Sequence, residues 1–244
     1  MIMKFKERKN TMKQKRPYES EGIKEMKMEV ELIGITVPVP FDSTPNEYSS
    51  ESVLATAGRT CYQSFDKQSE KSDIRLIKHF CLFGHYSVLE HCSATFRIMG
   101  GSRTFTHQLV RHRHQGISQE SQRYCDEGNF GYVIPRSIKA KGMTSMYSEV
   151  INDIRRAYVM LQKAGIKNED ARFLLPNAVC SEIVISPNFA ELRHMFRLRL
   201  TTHAQWETRE CFRQILEIMI TYAPNVFKDI YEQYKEYGNL NNFK

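Results

Sequence analysis

The chain has 244 residues, 41% of them hydrophobic, and a formal net charge of +7. That length and apolar content suit a soluble chain with a sizeable core, and no apolar run reaches the roughly 20 residues that a bilayer-spanning helix needs. Residues 1–27 hold nine Lys or Arg against four Glu, so the excess charge is mostly a tail effect, and the body carries no broad basic face of the kind nucleic acid demands.

In chain order, the basic tail at 1–27 has no apolar h-region and reads as disordered, not as a secretory signal, with Met3, Met12, Met26 and Met28 allowing a later start. Residues 28–244 read as a single domain. Residues 29–37 predict a strand ending at Pro38, and Glu51–Ala57 a short helix. Ile74–Phe83 predicts another helix, closed by Gly84 where a C-cap favours glycine. Ser87 and Glu90 have capping-box spacing and predict a helix start. His85, Ser87 and Glu90 are equally candidates to line a pocket, and the two readings are compatible.

Ala94–Met99 alternates as a strand, and Gly100-Gly101 predicts a turn into a helix from about Ser102 to Arg113, which leaves the next segment as an irregular loop. Tyr147, Val150, Ile151, Ile154, Tyr158 and Leu161 recur at helical spacing, as do Phe212, Ile215, Leu216, Met219 and Tyr222, and both stripes predict core or subunit contacts. Ser186-Pro187 suits an N-cap followed by proline at the first helical position. One helix running on from there would align Asn188, Arg199 and His203 on roughly one face and turn Leu192, Met195 and Phe196 toward the core. The whole predicts an α/β or α+β fold without internal repeats.

The chemistry concentrates between residues 111 and 124, Arg-His-Arg-His-Gln-Gly-Ile-Ser-Gln-Glu-Ser-Gln-Arg-Tyr, where Ile117 is the one aliphatic side chain. Arg111, Arg113 and Arg123 offer planar forks that match phosphate, and Ser118, Ser121, Gln119 and Gln122 can donate to phosphate, sugar or a base edge. A nucleotide is the ligand this set suits. Six of the eight histidines lie between His79 and His114, yet none pairs at H-x-x-x-H spacing on a predicted helix, and arginines flank His112 and His114, so no metal is expected. The cysteines at 61, 81, 92, 125, 180 and 211 form no C-x-x-C pair and read as reduced thiols, Cys125 as an ordinary buried one. Ser121 has no evident base beside it and reads as a phosphate or sugar donor. There is no P-loop and no G-x-G-x-x-G after a strand.

Arg111-His112-Arg113, followed by seven residues and Ser121, resembles the signature of flavin-dependent thymidylate synthases. The G-H-x-S-x-x-E-H segment at 84–91, A-R-x-x-L-P at Ala171–Pro176 and L-R-x-x-x-H-A-Q-W-E at Leu198–Glu207 resemble that family's segments in the same order. The resemblance covers most of residues 29–230 and leaves out the tail. It implies an α+β fold with a central, mostly antiparallel sheet flanked by helices, unlike a Rossmann fold. It also implies a cytoplasmic homotetramer with active sites shared between subunits, binding neither nucleic acid nor membrane. The implied reaction is reductive methylation of dUMP to dTMP, with carbon from 5,10-methylenetetrahydrofolate and hydride from FAD reduced by NADPH.

Carried over residue by residue, the resemblance places His85, Ser87, Glu90, Arg111, His112, Arg113, Asn188, His194, Leu198 and His203 at FAD. It places Gln108, Arg111, Gln119, Ser121, Arg123, Tyr124, Arg172 and Arg199 at dUMP, with Arg111 serving both ligands. Arg199 is the catalytic candidate, because negative charge pushed onto a pyrimidine carbonyl is stabilised by a guanidinium already in place. Gly116, Cys61 and His194 depart from the residues many or some members carry there: Ser, Ser and an amide. Two rival classes, an RNA-binding module and a metal-dependent nucleotide hydrolase, predict a colourless protein and a chelator-sensitive one respectively.

Overall fold

A computed structural model of the chain describes residues 24–39 and 49–242. Of the tail expected to be disordered, residues 1–23 lie outside the described residues, and for residues 24–27 the expectation fails. Residues 24–27 pair with the body: Tyr132 donates its N–H to the Lys24 carbonyl and accepts from Met26, and Lys139 meets Glu25. Among the described residues the chain forms two compact units, one of residues 24–27, 102–104 and 120–181, the other of residues 28–39, 49–101, 105–119 and 182–242.

Among the described residues the sheet has four strands, β1 (Glu29–Ile35), β2 (Ala94–Ser102), β3 (Gln115–Gln119) and β4 (Cys180–Pro187), in the order β1-β2-β4-β3. The β1–β2 and β3–β4 pairs are antiparallel. Alternation along β2 sends Ala94, Phe96 and Ile98 into the core, and Ile183 and Ile185 of β4 do the same. In the larger unit the core is completed by helices α1 (Ser50–Tyr62) and α2 (Glu70–Phe83), together with three C-terminal helices described below. The α1–α2 contact needs Gly58, where an added Cβ would sit 2.3 Å from the Phe80 ring.

Helix α2 begins four residues before the patterning suggests, because Ser69 and Ser72 make a reciprocal capping box. Its end at Gly84, φ 75°, is as expected. The capping box expected at Ser87 and Glu90 does not form. Tyr86–His91 is instead a short 3₁₀ segment entered at His85 without a side-chain cap. Nor does Gly100-Gly101 make a turn: β2 runs through both glycines to Ser102, and helix α3 covers only Arg103–Leu109. A Cβ on Gly101 would lie 2.7 Å from the Phe105 ring, so the glycine serves close packing instead of chain reversal. The segment expected as an irregular loop is partly the edge strand β3, in register with β4 from Gln115 opposite Pro187 to Gln119 opposite Ile183.

Ser186 and Pro187 are the end of β4, not a helix start. The Ser186 hydroxyl meets that of Thr95 at 2.9 Å, and proline is tolerated at the strand terminus because no further ladder N–H is needed.

The smaller unit holds α4 (Arg136–Ala140), α5 (Thr144–Lys163) and α6 (Asn168–Ala171). Its own core gathers Phe130, Tyr132, Ile134, Ile151 and Val179. Of the α5 stripe, Ile151 and Tyr158 are buried and Val150 is exposed. In the larger unit, α7 (Phe189–Arg199), α8 (Trp206–Tyr222) and α9 (Pro224–Tyr237) close the core. Phe212, Ile215, Leu216 and Met219 of the α8 stripe are buried, while Tyr222 is half-exposed.

Candidate active site

Helix α7 builds the chemical centre of the larger unit. Its N-cap is Asn188, whose side-chain oxygen accepts the Glu191 N–H at 2.8 Å. Leu192, Met195 and Phe196 are fully buried and fix the helix's rotation. The helix ends at Arg199 with Leu200 as C-cap, so His203 lies in the following turn and does not share one helical face with Asn188 and Arg199. That turn leads to α8, where the Gln205 side chain caps the helix by accepting the Thr208 N–H at 3.0 Å.

Around α7 the polar groups converge on His112, which is 5% exposed. Arg199 Nε donates to His112 Nε2 at 2.8 Å, and His112 Nδ1 lies 3.3 Å from Glu191 Oε1. A guanidinium Nε–H can only donate, so Nε2 is the bare ring nitrogen and the ring proton sits on Nδ1, facing the carboxylate. Burial, with the charges of Arg199 and His194 behind it, pushes the His112 pKa down from 6.5 to about 4. The imidazole is therefore neutral at pH 7.

Burial likewise pushes the Glu191 carboxyl up, against the pull of His194 and His114. It lowers the Arg199 pKa as well, although a guanidinium stays charged under such a shift. The His194 and Phe212 rings lie near His112, each with its centroid 6.3 Å away. With Nε engaged, the two terminal amino groups of Arg199 keep four N–H donors for a ligand.

The other candidates of this unit are open to solvent. His85, Ser87, Glu90, Arg111, Arg113, His194, Leu198 and His203 are exposed; Asn188, Gln108 and Gln119 are half-buried. Gln119 Nε2 donates to Thr106 Oγ1 at 3.0 Å. Cys61 is an exposed thiol on α1. At Gly116 an added Cβ would meet Ser186 Cβ at an ordinary 3.6 Å, so nothing in the backbone demands glycine there.

The smaller unit carries a different arrangement. The Ser121 carbonyl accepts the N–H groups of Tyr124 and Cys125, a turn that leaves Arg123 and Tyr124 exposed. Arg123 lies over the Tyr124 ring at 5.4 Å and pairs with Glu169 at 3.0 Å. Arg172 donates Nε to the Glu169 carbonyl at 3.2 Å. Arg103 has its pKa lowered by burial and then by the Arg172 charge, against the pull of Glu127 and Glu120. Cys125, expected to be buried, is half-buried, and its carbonyl accepts from Asn168.

Sequence reasoning missed two acids, Glu191 and Glu169. Glu191 had a signal, since it stands three residues after an Asn able to cap a helix. It also missed Arg193, 1% exposed, whose fork is closed on Asp229 and the Val226 carbonyl.

The fold and this donor set define an α+β protein whose guanidinium, imidazole and amide groups suit a phosphorylated ligand. Residues 45–225 match the family described as thymidylate synthase complementing protein, and the chain belongs to that family. It is 40% identical over 188 residues to a flavin-dependent thymidylate synthase of Geobacter sulfurreducens, covering 73% of this chain and 81% of the relative. It is 34% identical over 227 residues to one of Mycobacterium marinum, covering 83% and 89%. Its fold is similar to the crystal structure of the UMP/dUMP methylase PolB from Streptomyces cacaoi bound with 5-Br dUMP. The TM-score is 0.73 at 20% identity, over 89% of this chain and 98% of that one.

Proposed function

We infer that the chain catalyses reductive methylation of dUMP to dTMP, taking carbon from 5,10-methylenetetrahydrofolate and reducing equivalents from FAD that NADPH has reduced. Its membership of the family, with relatives named for this activity at 34–40% identity, carries the reading.

The residues present fit FAD. Arg111 and Arg113 are exposed cations suited to a diphosphate; Asn188 has its amide nitrogen available beyond the capping oxygen; exposed Leu198 gives a ring an apolar edge. Gln115 Oε1 is buried without a partner and could accept from a ligand. When bound, the flavin supplies the hydride chemistry that no side chain can.

The chain's own groups orient substrate and stabilise charge. As a nucleophile or hydride adds to the pyrimidine, negative charge grows on a carbonyl oxygen, and the Arg199 terminal amino groups are the donors we assign to it. Arg123, Arg172 and Ser121 hold the 5'-phosphate, and Gln108, Gln119 and Tyr124 complete the nucleotide contacts. His85, Ser87, Glu90, His194 and His203 are assigned to the flavin, and His112 only as the middle of the Arg111–Arg113 segment, because both of its ring nitrogens are engaged by Arg199 and Glu191. Ser121 donates without forming a covalent bond. The active form is a homotetramer with shared sites, and the setting is cytoplasmic. Exposed Leu198, Phe173 and Tyr124 support association. Among the described residues no helix is long and apolar enough to cross a membrane.

The test is the visible absorption spectrum of the purified protein without oxygen, with dUMP present, before and after NADPH. A flavin band that bleaches and yields dTMP once methylenetetrahydrofolate is added is the expected result. A protein that stays colourless after FAD is supplied overturns the reading.

A further inference from the structure

Arg199 is the last residue of α7, where the helix gives way to a turn, and a long side chain in that position is free to sample many rotamers unless something holds its root. Among the described residues, what holds it is a hydrogen bond from Nε to His112 Nε2. That bond exists only while the imidazole keeps its proton on the other nitrogen, because the opposite tautomer would set two N–H groups against each other. His112 cannot secure the tautomer by itself. Among the described residues the carboxylate against its Nδ1 is Glu191 Oε1 at 3.3 Å, 9% exposed and fixed at the N-terminal turn of α7, where its own N–H is tied to Asn188.

We propose that Glu191 is a positioning residue for the reaction: it holds the Nδ1–H tautomer of His112, which in turn holds the Arg199 guanidinium by its Nε and leaves both terminal amino groups facing substrate.

The relay runs within one helix and one loop residue, so two ends of α7 act on the same guanidinium. A carboxylate is costly to bury unless it is paired, and here His112 Nδ1 supplies the partner. The neutral, depressed-pKa state of His112 agrees with this geometry, since a second ring proton would have to displace the Arg199 donor. Buried partners that fix a histidine tautomer typically matter by about 10- to 100-fold in activity where the histidine binds a metal. An effect of that order is expected here, reached through Arg199 instead of a metal.

The proposal rests on the assignment of Arg199 to the pyrimidine, and the experiment separates the two. Glu191→Ala and Glu191→Gln are compared with Arg199→Ala and the double variant Glu191→Ala/Arg199→Ala, at saturating dUMP. Glu191→Ala should lower kcat about 10- to 100-fold while bound FAD and its bleaching by NADPH persist. Glu191→Gln, whose amide oxygen still accepts from Nδ1–H, should recover most of that loss. The double variant should be no slower than Arg199→Ala alone.

Nitrogen NMR of histidine-labelled enzyme, with His112 assigned through His112→Gln, gives a readout that needs no turnover. It should report Nδ1–H in the parent and in Glu191→Gln, and Nε2–H in Glu191→Ala. Parent-like turnover in Glu191→Ala, losses that multiply in the double variant, or an unchanged tautomer would each overturn the relay. If the parent makes no dTMP, the functional reading fails, and the NMR comparison still decides whether Glu191 sets the tautomer.

Discussion

Two groups of arginines in this protein are held in opposite ways. In the larger unit Arg199 is half-buried, its root fixed by a neutral histidine that is itself pinned by a buried carboxylate. In the smaller unit Arg123 is exposed, stacked on an exposed tyrosine and paired with a half-exposed Glu169. The first group is preorganised at the cost of burying charge; the second waits in water beside a carboxylate that an incoming phosphate can replace. The difference follows from the work each is assigned. Charge that develops only during reaction must find its donors already in place. A phosphate is fully charged before it binds and can order a mobile arginine itself.

Arg199→Ala is the sharpest way to break that contrast. It should leave FAD bound and bleachable while kcat for dTMP falls about 100- to 1,000-fold, the loss seen when one charge-stabilising donor is removed. Steady-state turnover at saturating dUMP measures it, and a loss of less than threefold would remove Arg199 from the chemistry.

The buried side of the comparison also predicts an acid limb in stability. As pH falls through 6.5 the unfolded chain protonates His112, whereas the folded protein resists until about 4. The unfolded state therefore binds more protons in that window, and stability drops with falling pH by up to about 3 kcal/mol. Glu191, raised by burial, works the other way, because acid relieves its desolvation. Urea unfolding at pH 7 and pH 5 should show a steeper loss for the parent than for His112→Gln. Equal losses would mean that His112 is not held neutral.

How much of this was legible in sequence depended on whether the signal was local. The β1, α2 and core-stripe patterns repeat over several residues, and each was found within a few positions of where it lies. The failures came where tertiary contact decides. Gly100-Gly101 looks like a turn, but the strand runs through both glycines, and Gly101 serves the close approach of the Phe105 ring. Ser87 and Glu90 have capping spacing, but the short 3₁₀ segment does not use it. Ser186-Pro187 looks like a helix start, although Asn188 two residues later carries the cap. The site fared likewise: His112 and Arg199 were visible as family motif residues, but the bond between them spans 87 positions and has no local signature.

On the exposed side, Arg123→Ala should weaken dUMP about tenfold, the loss of one charge-assisted fork, with little change in kcat at saturation. A titration of flavin absorbance with dUMP reads the affinity. A fall in kcat with affinity intact would place Arg123 in the chemistry and erase the contrast with Arg199.

The smallest effect is the most direct test of why the two groups differ. Glu169 occupies the Arg123 fork at 3.0 Å, so a 5'-phosphate must displace that carboxylate or share the guanidinium with it. Glu169→Gln keeps the side chain's shape and removes its charge, and the backbone carbonyl that receives Arg172 is untouched. Exposed ion pairs are worth about 0.2–1 kcal/mol, so freeing Arg123 should tighten dUMP by no more than about fivefold. The gain should shrink as salt screens the pair it removes. The same titration at low and high ionic strength measures both. Weaker dUMP binding in Glu169→Gln would mean that the carboxylate aims Arg123 instead of competing for it, and the smaller unit's arginine would then be preorganised by an acid as Arg199 is through His112.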